Sequence, residues 1–163
     1  MAINTTPFVS GSILTAAQMT NLPMGVNADT GATATTGYAA NTPLKVLTLT
    51  PTIYAGRKYQ IQGKIAVQAS SVGTSNALYV QGNGIARTVW FQTPAIGLNL
   101  CVMANGFTTF TATELGVTSG SAGVVIDLWW KSGATGSLST NPDGYVSAGS
   151  SSQQLIIIDI GTQ

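Results

Sequence analysis

Lys58-Tyr59-Gln60-Ile61-Gln62-Gly63-Lys64-Ile65-Ala66-Val67-Gln68 is the stretch that decides the fold class of this chain. Tyr59, Ile61, Ile65 and Val67 alternate with Lys58, Gln60, Gln62, Lys64, Ala66 and Gln68. A period of two is the mark of a strand with one buried and one wet face. Just upstream, residues 45–50 form a run rich in Thr and Leu, joined to this strand through Pro51 and the turn pair Ala55-Gly56. Further strands are predicted at 76–81, 85–92, 98–103, 107–113, 124–131 and 155–160, each bounded by Gly, Asn, Pro or Ser. Asn83-Gly84 between two of them reads as a hairpin or bulge. Short, evenly spaced strands with no helical pattern between them predict an all-β fold, an antiparallel jelly-roll-like β-sandwich over residues 44–163.

Two of these strands say more. In 124–131, one face presents Val124, Ile126, Leu128 and Trp130, and the other Val125, Asp127, Trp129 and Lys131. Both faces are partly apolar, as expected of a central strand that carries a subunit contact on its second side. Val125 and Trp129 are therefore candidate interface residues. The run Leu155-Ile156-Ile157-Ile158-Asp159-Ile160 is apolar throughout and would aggregate as an open edge, so it is expected to be central in its sheet or sealed by neighbours. Ile156 and Ile158 join the interface candidates.

Residues 1–43 read differently, as an arm and connector. Thr15 can cap a helix, Gln18 can reach back to the cap amide, and Leu14 can pack on Met19 as a hydrophobic staple. The helix is expected from Ala16 to about Leu22, because Pro23 disfavours helical geometry before it and Gly25 follows. About two turns do not hold themselves in water. Phe8, Val9, Ile13, Leu14, Met19, Leu22 and Met24 must therefore dock on another surface, and they are the candidate anchoring residues. Residues 27–43, small and polar without periodicity, read as an extended connector.

Charge is scarce. Six Lys/Arg and five Asp/Glu in 163 residues make 7%, against roughly 25% in ordinary soluble domains. A folded monomer of this size exposes roughly 7,600 Å² by surface scaling, which leaves about 700 Å² for each charge to keep in solution. Such a surface suits burial against copies of itself or a larger assembly. A net charge of +1, with basic residues adjacent only at Arg57-Lys58, offers no attraction to nucleic acid or to an acidic membrane. No stretch of eighteen apolar residues occurs and the opening residues lack a basic leader, so synthesis in the cytoplasm and no membrane span are expected.

The same composition restricts chemistry. With no histidine there is neither a Ser–His–Asp triad nor a zinc site of the usual Cys/His kind. Cys101 has no intrachain partner and reads as a small buried hydrophobe. A glycosidase needs two facing carboxylates, and Asp29, Glu114, Asp127, Asp143 and Asp159 are each isolated along the chain. Asp143 sits in the turn signature Asn141-Pro142-Asp143-Gly144. Gly82-Asn83-Gly84 lacks the third glycine and following helix of a dinucleotide fingerprint. Trp90-Phe91, Trp129-Trp130, Tyr54, Tyr59, Tyr79 and Tyr145 can act as stacking platforms for sugars or bases, although without a basic groove the nucleic-acid version is weak and aromatics on strands are more often core or interface. The expectation is a protein that is not an enzyme and uses no cofactor or metal.

Three segments carry a resemblance. Residues 8–26, FVSGSILTAAQMTNLPMGV, are similar to the N-terminal segment of many small virion proteins of tailed bacteriophages, where Leu-Thr-Ala-Ala and Leu-Pro-x-Gly patterns recur. Gly56-Arg57-Lys58-Tyr59 resembles the Gly-Arg-x-Tyr strand start of the same proteins, and Asp159-Ile160-Gly161 resembles their closing Asp-Ile-Gly. Members are described as capsid decoration or cement, head-fibre or minor tail proteins. The resemblance implies a compact β domain, commonly trimeric, displayed on the particle. A proline often follows the last glycine there, whereas Thr162 stands here, which points to a short decoration.

The expectation is a homotrimer on the exterior of a virion, with the major capsid protein or other virion proteins as partners. A tail-tip or tail-fibre component binding a host-surface glycan is the alternative. A cell-wall hydrolase using two carboxylates is a third class, which the unpaired carboxylates disfavour.

Overall fold

The computed structural model describes residues 22–32, 37–71, 75–93, 101–138 and 153–162. Its longest strand, β5 (Arg57–Ala69), is the one read first from the sequence, with odd-numbered residues buried and most even-numbered ones half-buried. On one side β5 pairs antiparallel with β8 (Cys101–Thr111), and on the other with β12 (Gln153–Thr162) and then β11 (Gly136–Leu138). β1 (Gly25–Ala32) closes the far side of β12, and β2 (Gly37–Tyr38) pairs with β11. A second sheet runs β3 (Leu44–Leu49), β10 (Ile126–Ser132), β6 (Asn76–Gly82), β7 (Ile85–Gln92). A small ribbon of β4 (Thr52–Tyr54) and β9 (Ser121–Gly123) sits beside them. The strand orders β1-β12-β5-β8 and β3-β10-β6-β7 interleave two Greek keys, so the sandwich is a jelly roll.

The core lies between the sheets. Tyr59, Ile61, Ile65, Phe110, Leu155 and Ile157 face Leu78, Val80, Ile126, Leu128 and Trp130. Each such side chain contributes about 1.5–3 kcal/mol by leaving water. Trp130 is the hub, meeting Tyr38 edge-on at 6.0 Å and stacking on Trp90 at 6.0 Å. Two facing glycines set the sheet spacing: Gly63 and Gly106 are register partners, and a Cβ on either would run into the opposite sheet, at Leu128 Cδ1 or the Val89 carbonyl oxygen. Asn83 and Gly84 have φ of 48° and 76°, the left-handed pair that a tight two-residue hairpin between β6 and β7 requires.

Two expectations change. Residues 101–103 and 107–111 of the two predicted strands are parts of one strand, β8, because Gly106 serves close packing and does not break the pairing; residues 98–100 lie outside the described residues. The segment read as connector contains most of β1, which pairs with β12 from Gly25 to Ala32, and all of β2. An edge strand of small residues carries no alternation, which hid it. The predicted helix falls outside the described residues except at Leu22, which lies in a bend. The apolar run at the chain end is central, as expected: β12 lies between β1 and β5.

Candidate functional site

The described residues concentrate unusual features at one end of the sandwich and on its two outer faces. At the end, Arg57 and Asp159 point inward from neighbouring strands and are almost fully buried. The guanidinium forks the carboxylate, Nε to Oδ2 and Nη2 to Oδ1, the second bond at 2.7 Å. Asp159 Oδ1 also accepts the Gly161 backbone N–H at 2.9 Å, and Arg57 Nη2 donates to the Leu22 carbonyl at 2.6 Å. Hydrogen bonding to Asp159 raises the Arg57 pKa above its already high value. Beside the pair, the buried Tyr59 hydroxyl accepts the Tyr54 N–H at 2.8 Å, and burial raises its pKa. Removing one member of a buried ion pair leaves an uncompensated charge, at a cost of about 3–5 kcal/mol. Leu22-Pro23-Met24-Gly25, Gly56-Arg57-Lys58-Tyr59 and Asp159-Ile160-Gly161, far apart in sequence, thus meet at one node.

Of the candidate anchoring residues, Phe8, Val9, Ile13, Leu14 and Met19 lie outside the described residues. Leu22 and Met24 are on the surface.

The interface candidates do not share one surface. Ile156 and Ile158 are half-buried on the outward face of the first sheet. Strand register extends their rows through Gln62 to Phe107 and sideways to Val26. Phe107 and Val26 are 63% and 62% exposed. Beside the row of Phe107, Gln62 and Ile156, on the side away from Val26, a shallow depression is lined by Gln62, Gly63, Lys64, Asn105, Gln154 and Ile156.

Trp129 lies on the opposite outer face. Its ring stacks parallel to Tyr79 across the strand pair at 6.2 Å, and Lys45 Nζ sits 5.3 Å from its centroid. Lys45 also pairs with Asp127 at 3.0 Å, and Thr48 Oγ1 donates to the same carboxylate at 2.6 Å. Phe91, opposite Ala77, is exposed on this face too. Val125 belongs to neither face: it is an exposed residue just before β10, beside a depression that includes Asn83 and Leu115.

Catalytic constellations do not emerge among the described residues. Asp127 is taken by Lys45, Asp159 by Arg57, and Glu114 by Arg87 and the Thr111 backbone. No group of three or more His, Cys, Asp or Glu that could hold a metal occurs among them. The Asn141–Gly144 turn lies outside the described residues, and so does the side chain of Cys101. The Arg57 node escaped the residue-by-residue reading because its members lie 102 residues apart in sequence and only strand pairing unites them.

No protein-family model matches the sequence. No curated protein matches it either. Among solved structures the chain is similar to the VP2 subviral particle of infectious bursal disease virus, at TM-score 0.50 and 13% identity over 98% of this chain and 37% of that one. It is also similar to T=1 particles derived from infectious bursal virus, at TM-score 0.51 and 10% identity over 99% of this chain and 41% of that one. The chain therefore spans about two fifths of the length of those viral chains. At these identities the likeness is one of fold. An all-β jelly roll, shared with chains that form viral particles, is the class that the architecture defines.

Proposed function

We propose that this chain is a structural protein of a tailed-bacteriophage virion, a capsid decoration or head-fibre protein that assembles as a homotrimer on the particle exterior. The observation that carries this reading is apolar side chains where a solvated sandwich presents polar ones: Val26, Phe107, Ile156 and Ile158 on one outer sheet face. Low charge supports the same conclusion, since six of the eleven charges neutralise one another in three pairs. The jelly roll shared with chains of viral particles agrees with it, as does the resemblance of the three sequence segments to small phage virion proteins. The mechanism is adhesive: every copy bound between shell subunits stabilises the assembly by mass action, without covalent change. The segment before Leu22 supplies the grip.

A tail-tip role in binding host-surface glycan is the second reading. The half-buried Tyr79–Trp129 stack with the exposed Phe91 on the same face favours it, since aromatic planes pack on sugar rings. Immunogold labelling of purified particles with antibody to this chain separates the two. Gold over the capsid shell is the expected result; gold confined to the tail tip supports the second reading, and no labelling of particles that package DNA refutes both.

A further inference from the structure

Leu22, Pro23 and Met24 lie on the surface, Leu22 37% and Met24 61% exposed, so apolar packing holds this stretch against the domain only in part. Among the described residues the bond that ties them is the one from Arg57 Nη2 to the Leu22 carbonyl, 2.6 Å long and given by a guanidinium that is 4% exposed. That guanidinium has one orientation available, because Asp159 holds it by a two-pronged fork and is itself held by the Gly161 N–H. Three residues on, Gly25 has a φ of 77° and open space about its α-carbon, which makes it the natural pivot if the tie is cut. The fork alone would satisfy the ion pair. The further Nη2 bond reaches out of the core to the partly buried Leu22 carbonyl.

We propose that Arg57 is a positioning residue that fixes the point and direction at which the chain N-terminal to Leu22 leaves the domain. The consequence for function rests on that N-terminal segment being the virion anchor. A segment starting from a fixed point loses less freedom on docking than one swinging from Gly25, so the tie strengthens attachment without touching the particle.

Lysine keeps the charge beside Asp159 but lacks the planar fork, so Arg57→Lys removes the tie while sparing the pair. The direct readout is the distance distribution between spin labels at L22C and T88C in a C101S background, with a T88C–N105C pair as a control within the domain. The wild-type chain is expected to give one narrow distance, and R57K a broad distribution with the control pair unchanged. If R57K fails to fold, the double variant R57M/D159L, which replaces the pair by apolar groups, is expected to show the same broadening. An unchanged width in either folded variant overturns the tie. In attachment to particles stripped of the protein, R57K is expected to bind about tenfold more weakly, and a chain lacking residues 1–21 not at all. Undiminished attachment of that truncated chain overturns the anchor reading and leaves the distance result to judge Arg57.

Discussion

Glu114 shows how few charges this molecule uses and how fully it uses them. Its carboxylate accepts the Thr111 N–H at 2.8 Å and the Thr111 hydroxyl at 3.1 Å, and it pairs with Arg87, which also donates to the Thr109 carbonyl of β8. One side chain thus links the edges of both sheets. The Thr111 amide first, helped by its hydroxyl and by Arg87, holds Glu114 below the ordinary value of 4.5. A depressed carboxylate contributes stability that is present above its unfolded pKa and lost as pH falls through the folded one. The stability difference between wild type and E114Q is therefore expected to be full at neutral pH and to shrink on acidification below about pH 4.5. Urea unfolding at several pH values checks this, and a difference that grows in acid contradicts it. Arg57 and Asp159 mark the limit of legibility at this scale: each stood out in sequence, but neither pointed to the other.

Among the elements, β5 and β12 were readable because alternation or an unbroken apolar run reports burial directly. β1 was not, since small residues on an edge strand have little to bury. Asn105-Gly106 looked like a break between strands, yet the glycine is there because Val89 comes too close for any side chain. The two facing glycines give a prediction of rank. A Cβ at 106 meets backbone, which cannot step aside, whereas one at 63 meets the rotatable end of Leu128. G106A is expected to cost about 1–3 kcal/mol or more, as overpacking does, and G63A less. Denaturant unfolding of the two variants measures the order, and an equal or reversed cost contradicts this account of the sheet spacing. Trp129, Ile156 and Ile158 were legible as outward-facing apolar positions, but neither their separation nor the place of Val125 outside both faces was. Which sheet a strand joins depends on long-range pairing, and this puts Trp129 and Ile156 on opposite sides of the molecule.

At the scale of the whole molecule, the proposed function makes a sandwich with so little charge, and with large apolar side chains standing on an outer face, one part of an assembly. Obligate interfaces bury on the order of 2,000 Å² or more and resemble a core cut in half. The outer face of β1, β12, β5 and β8 carries Val26, Phe107, Ile156 and Ile158 among polar residues such as Gln62, Lys64, Asn105 and Gln154, and these four are the apolar part of the proposed contact. A charge placed in such a contact costs several kcal/mol unless it is paired, while the same charge on a free surface costs little. Sedimentation equilibrium at micromolar concentration on the full-length chain and on I158D/F107D tests this most directly. The account predicts a single species of three times the chain mass for the wild type and a folded monomer for the variant. A monodisperse wild-type monomer would contradict it.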